Sequence, residues 1–137
     1  MNKVKVRVWN TKSKYFLNIE EDPDYLFGID SDASLYLIDN GNPVNDENYI
    51  IQLCTGVKDD EGNDIYEGDI LEARYAPSYD LQKYEVKWNQ NGASFVCYRK
   101  HENPSVQFEQ LPLQPSNSME NLKVLGNIFE NLELLEG

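Results

Sequence analysis

Hydrophobic side chains fall at every second position through most of this chain, and that period commits it to strands. Val4, Val6 and Val8 alternate with Lys3, Lys5, Arg7 and Trp9, which predicts a half-buried strand with a basic outer face. Asn10 to Lys14 reads as a turn and Tyr15–Ile19 as the returning strand. Leu35–Ile38 is a short apolar run that ends in the breaker Asp39-Asn40-Gly41-Asn42-Pro43. Tyr49–Cys54 is another β-like run, closed by Thr55-Gly56. A polar turn from Lys58 to Asp64 leads into Ile65-Tyr66, Gly68-Asp69 and the run Ile70–Tyr75. Tyr84–Trp88 and Ser94–Arg99 flank Asn89-Gln90-Asn91-Gly92, whose Asn-Gly step favours a tight hairpin. Residues 102–118 hold Pro104, Pro112 and Pro115 and read as an irregular surface excursion.

The C-terminal end admits two periods. Met119, Leu122, Leu125, Phe129 and Leu132 sit at helical spacing, whereas Leu122, Val124 and Ile128 fit alternation. Gly126 in mid-segment costs a helix about 1 kcal/mol relative to alanine. A strand through Leu122–Phe129, then a helical turn over Leu132–Leu135, is the expectation. With 137 residues and no internal repeat, the chain reads as a single, mainly β domain over 1–137.

Twenty-four acids against twelve bases leave a net charge of −12, which opposes nonspecific attraction to nucleic acid or anionic lipid. The charge is segregated. Residues 1–16 carry Lys3, Lys5, Arg7, Lys12 and Lys14 and no acid, while residues 17–50 carry nine acids and no base. Pairing between such segments within the molecule explains the pattern. An anionic face offered to a basic partner explains it too, and its candidate residues are Glu20, Glu21, Asp22, Asp24, Asp59, Asp60 and Glu61. No apolar stretch is long enough for a bilayer, and the start lacks the apolar run of a signal peptide, so the expected place is the cytoplasm. There Cys54 and Cys97 are expected as two free thiols in β-like runs.

No constellation of catalytic residues can be named. The acidic stretch from Asp59 to Asp64, followed by Glu67, Asp69 and Glu72, invites a calcium reading. The twelve-residue calcium loop, however, needs oxygen ligands at positions 1, 3 and 5 and glycine at 6. Placing Gly62 sixth puts Val57 first, and placing Gly68 sixth puts Ile65 third. Asp30-Ser31-Asp32 lacks the glycine. His101 is the single histidine, there is no Cys-x-x-Cys pair, and the Cys97–His101 spacing reads as a strand residue and a loop histidine. Phosphate-loop and nucleophile-elbow patterns are missing. No catalytic, metal or cofactor-binding residue is therefore assigned and no cofactor is expected. An enzyme acting through clustered carboxylates stays an alternative without a nameable geometry.

One hairpin interleaves rings with cations: Tyr84, Trp88, Phe95 and Tyr98 among Lys83, Lys87, Arg99 and Lys100. Small β-barrels bind single-stranded nucleic acid with such a mixture. Lys83, Lys87, Trp88, Tyr98, Arg99 and Lys100 are the candidate residues for that alternative. Core-filling rings beneath an outer row of cations account for the same sequence.

The run Gln52-Leu-Cys-Thr55-Gly56-Val-Lys58-Asp59-Asp-Glu-Gly62-Asn-Asp-Ile65-Tyr66-Glu67-Gly68-Asp69-Ile70 resembles the signature of the YopX family, small proteins encoded largely by phages and prophages. The family's opening Arg-x-Trp is matched by Arg7-Val8-Trp9. Its closing segment is matched by Leu125-Gly126-Asn127-Ile128-Phe129-Glu130-Asn131-Leu132-Glu133-Leu134-Leu135, with Leu132 where the family has proline. Residues 17–48 and 76–118 carry no matching pattern.

The resemblance implies a mostly β fold around a small SH3-like barrel with additional hairpins and a short C-terminal helical turn. It carries over no catalytic residue. Gly68-Asp69-Ile70 reads as structural: a glycine for a sharp turn, an acid that bonds local amides, and the start of a core strand. The expected function is that of a non-enzymatic accessory protein acting on a host or phage protein in the bacterial cytoplasm. Exposed strand edges would also permit homo-oligomers.

Overall fold

The computed structural model describes residues 5–17, 25–29, 31, 35–44, 48–74, 80–89, 94–100, 108–113 and 120–135. Its elements are antiparallel strands and one short 3-10 turn, and the chain divides into two compact units, Met1–Leu53 and Cys54–Gly137.

In the first unit, β1 (Val6–Asn10) lies between β2 (Tyr15–Leu17) and the first part of β6 (Tyr49–Lys58). Val6 and Val8 are buried, as alternation requires. Trp9 departs from the expected outer face and is buried as well. Phe16 stands opposite it and meets its ring edge-on at 4.8 Å, with Ile50 in register on the other side. The Arg7 guanidinium lies 4.7 Å over the Phe16 ring, and its Nε donates to Gln52 Oε1 at 2.9 Å. A residue between two cations thus becomes core because a neighbouring strand folds an aromatic ring onto it. In the turn, Asn10 Oδ1 accepts from the amides of Lys12 and Ser13, both at 2.9 Å.

The same unit contains β3 (Tyr25–Ile29), β4 (Leu35–Asp39) and β5 (Asn42–Pro43). Gly28 stands opposite Tyr36, and a Cβ there would come within 2.6 Å of that ring, so the glycine leaves the space the tyrosine covers. The expected breaker is a hairpin turn. Asn40 and Gly41 take φ of 50° and 82°, the left-handed pair that a two-residue turn between β4 and β5 requires.

In the second unit, β6 runs on through Thr55-Gly56, where the sequence had predicted its end. Gly56 adopts φ 83° and the pairing with β7 (Asp64–Tyr66) shifts register between Cys54 and Lys58. Thr55 Oγ1 donates to Ile65 O at 2.8 Å and accepts from the Val57 amide at 3.1 Å. The dipeptide is a β-bulge rather than a stop, because a partner strand continues beside it.

Then follow β8 (Asp69–Arg74), β9 (Gln82–Asn89), β10 (Ser94–Lys100), β11 (Phe108–Pro112) and β12 (Glu120–Asn127), which form a five-stranded sheet in the order β11-β10-β9-β8-β12. One face contributes Leu71, Ala73, Tyr84, Val86 and Cys97 to a core closed by Val57, Ile65, Leu113 and Leu122. β11 corrects the expectation of an irregular excursion over 102–118. It is an edge strand whose proline falls at the last position, where a missing N–H is tolerated. The C-terminal strand is confirmed, ending at Asn127, and the 3-10 turn covers Leu132–Leu135. Asn89 pairs with Ser94, so β9 and β10 form the predicted hairpin, while its Asn91-Gly92 step lies outside the described residues.

Candidate functional site

The acidic turn after β6 is built around one carboxylate. Asp59 is 5 % exposed, and its amide donates to Asn63 O at 2.9 Å to close the loop. Asp59 Oδ1 accepts from the amides of Glu61 (3.0 Å) and Asn63 (2.8 Å). Asp59 Oδ2 accepts from Asn63 Nδ2 (3.2 Å) and from the Val124 amide on β12 (3.0 Å). The Asp60 amide donates to Leu122 O at 2.9 Å, a second tie to β12. Lys58 and Asp64 bracket the turn as an ion pair at 3.6 Å.

A carboxylate has about four lone-pair directions, and these contacts occupy them all. Burial pushes the Asp59 carboxyl upward, but the Val124, Asn63 and Glu61 donors outweigh it and hold the group below its ordinary 3.8. Asp60 and Glu61, beside it, are exposed and meet no cation among the described residues. Among those residues no three His, Cys, Asp or Glu side chains come together in a metal-holding group. Glu20, Glu21, Asp22 and Asp24 lie outside the described residues, as does His101.

The second signature acid is also committed to the backbone. Gly68 takes φ 86°, its amide donates to Val86 O at 2.8 Å, and its carbonyl accepts from Ile128 N at 2.9 Å. Asp69, 2 % exposed, accepts the Tyr66 amide on Oδ2 at 2.7 Å. The Gly68 backbone therefore joins β9 to the C-terminal segment, while Asp69 bonds a local amide, the role the sequence predicts for it.

The C-terminal segment contains ties that were not anticipated. Asn127 Oδ1 accepts from the amides of Phe129 (3.0 Å) and Glu130 (2.9 Å), and its Nδ2 donates to Glu130 Oε1 at 3.0 Å. The Asn131 side chain occupies the place a Cβ on Gly126 would take. The local signal for this turn is an asparagine two and three residues ahead of the amides it receives, a pattern that side chain favours outside helices and strands.

The basic–aromatic hairpin divides between two faces. Residues opposite each other in register share a face, and Trp88 stands opposite Phe95 whereas Lys87 stands opposite Val96 and Glu85 opposite Tyr98. Lys83, Lys87, Tyr98 and the Lys100 position fall on one face, Trp88 and the Arg99 position on the other. Trp88 meets Phe95 edge-on at 5.0 Å, and Lys87 Nζ lies 4.1 Å over the Tyr98 ring. One side of the Tyr98 ring is thereby covered by a cation of the same sheet.

Glu85 sits in that row. Its burial raises its carboxyl above 4.5, and the Lys87 charge opposes the rise. Because the folded state holds the proton more tightly, Glu85 favours the fold below 4.5, and this contribution is lost as pH rises through its folded value. Glu85→Gln is accordingly expected to raise Tm at pH 7 and to leave it unchanged near pH 4 in paired thermal melts.

Both cysteines are free thiols. Burial pushes the Cys97 thiol up to about 12, so it is an inert core residue at neutral pH. No helix among the described residues is long and apolar enough to cross a membrane.

Comparison with known proteins bears on the chain as a whole. The family described as YopX protein matches residues 5–136. Protein yopX from Bacillus subtilis has a similar solved structure, 18 % identical, with a TM-score of 0.60 over 99 % of this chain and 100 % of its own. Protein EF1440 from Enterococcus faecalis is 22 % identical, with a TM-score of 0.52 over 98 % of this chain and 99 % of its own. Among curated proteins none matches the chain.

Proposed function

We propose that this chain, which belongs to the YopX family, is a phage-type accessory protein that acts without catalysis, by binding a basic host or phage protein in the bacterial cytoplasm. The proposal takes the fold as a small SH3-like barrel whose acidic surface includes the exposed Asp60 and Glu61 but, against the expectation from sequence, not the buried Asp59. Glu20, Glu21, Asp22 and Asp24 stay candidates from the sequence. One observation carries the reading. The signature's buried acids, Asp59 and Asp69, are committed to backbone amides, while the exposed acids of the same segment meet no cation among the described residues. Charge available on the surface, with the neighbouring acids fixed as scaffold, suits recognition by electrostatic complementarity.

A single-strand-binding reading is favoured only by the shared face of Lys83, Lys87 and Tyr98. The separation of Trp88 from them, and the net charge of −12, count against it.

The test is affinity capture from phage-infected lysate with and without nuclease, comparing the wild type with Asp60→Asn/Glu61→Gln, at low salt and at about 1 M salt. The expected result is one nuclease-resistant basic protein that high salt releases and that the double variant retains poorly. A protein held equally in high salt, or equally by the variant, overturns the proposal. Material that disappears with nuclease transfers it to the β9–β10 face.

A further inference from the structure

β12 is the last strand of the five-stranded sheet, so one row of its backbone groups has no neighbour within that sheet. Leu122 and Val124, two residues apart, direct their outer groups along that row. Both residues are occupied from outside: Leu122 O accepts the Asp60 amide at 2.9 Å, and the Val124 amide donates to Asp59 Oδ2 at 3.0 Å. An added antiparallel strand would exchange an N–H and a C=O with each of these residues, and the turn supplies half of that set, a donor to Leu122 and an acceptor for Val124. Here a backbone amide provides the donor and a side chain provides the acceptor. The turn bends too sharply to continue the imitation, since the amides of Glu61 and Asn63 converge on the same carboxylate.

We propose that the Asp59–Asn63 turn is an edge guard: it occupies the outer edge of β12 and prevents that edge from pairing with a second copy of the chain. The occupant follows from the edge itself. Leu122 and Val124 each present an N–H and a C=O on the same side, so the uncovered row is self-complementary about a two-fold axis. Lys123, exposed between them, adds a charge of the kind that discourages edge pairing. The side chains of Asp60 and Glu61 take no part, so this inference and the proposed function fail separately.

Two measurements test it. Hydrogen exchange on the wild type should find the Val124 amide protected although it has no partner in the sheet; exchange at the intrinsic rate overturns the proposal. Sedimentation velocity across a concentration series should then show Asp59→Ala self-associating about tenfold or more tightly than the wild type, with its Val124 amide deprotected at low concentration. A folded Asp59→Ala with the wild-type association behaviour overturns the proposal. If that variant does not fold, Asp59→Asn replaces it. An asparagine presents an acceptor on only one side, so either Val124 or the Glu61 and Asn63 amides lose their partner. The same increase in association is expected from it, and its absence is equally decisive.

Discussion

Asp59→Ala is expected to destabilise the fold by about 3 kcal/mol, while Asp60→Asn and Glu61→Gln, one and two residues away, stay within about 0.5 kcal/mol of the wild type. The contrast follows from what each carboxylate touches. Removing the Asp59 side chain leaves the Val124, Glu61 and Asn63 amides without their acceptor, and the first of these lies on a half-buried strand. Water can reach the exposed turn amides far more readily than the strand amide, which is why the loss is smaller than a sum over the bonds. For a chain of this length the change corresponds to a fall in Tm of about 10 °C.

The pH dependence provides an independent check on the same group. The folded pKa of Asp59 lies below 3.8, so the unfolded chain takes up the proton first on acidification. Its contribution is complete above that value and is lost as pH falls through the folded one. Urea melts between pH 5 and pH 2 should show this slope in the wild type, and Asp59→Ala should lack it. Glu85 has the opposite sign, and so cannot be mistaken for the same effect.

The second large effect is at Gly126. Its φ is not in the left-handed region, so the backbone itself would accept alanine, and in an ordinary strand that change is neutral or favourable. The Asn131 side chain forbids it here: a Cβ at 126 overlaps the amide oxygen of Asn131, and the Cγ and Cβ behind it are also too close. Turning the amide away does not relieve the contact, because the Asn131 Cβ, 2.9 Å from the added atom, is fixed by the backbone. Gly126→Ala is expected to cost about 2 kcal/mol. In an Asn131→Gly background the same change should cost less than about 0.5 kcal/mol, giving a clear coupling in a double-mutant cycle. Asn131→Gly alone removes an acceptor for the Asn127 amide, so the cycle, not any single variant, isolates the contact. Equal costs in both backgrounds would show that the glycine is there for some other reason.

Alternation places β1, short apolar runs place β4 and β8, and runs flanking an Asn-Gly turn place β9 and β10. The mid-segment glycine rightly decides strand over helix for the segment read as Leu122–Phe129, whose strand ends at Asn127. The misreadings share a physical origin. Trp9 lies between cations in sequence, and only the return of Phe16 on the next strand buries it. Thr55-Gly56 carries the same local signal whether a strand stops or bulges, and the outcome depends on whether Asp64–Tyr66 runs alongside. Prolines concealed β11, since an edge strand can end on one. Among the candidate residues, adjacency in sequence merged two sheet faces: Tyr98 and Arg99 are neighbours and therefore point to opposite sides. The Asp59–Val124 bond joins residues 65 apart, and no local pattern encodes it. The acidic turn could be recognised from sequence as solvated and glycine-rich, but its attachment to β12 could not.

The central claim is that the signature acids are scaffold and that the exposed ones are left for binding. A carbon-detected NMR titration of the Asp59 carboxyl in the wild-type protein tests it most directly. The claim predicts a titration midpoint below 3.8, with the Val124 amide resonance shifting at the same pH. A midpoint at or above 3.8, with Val124 unmoved, would mean that the carboxylate does not hold the strand amide, and that the acid is free for another role.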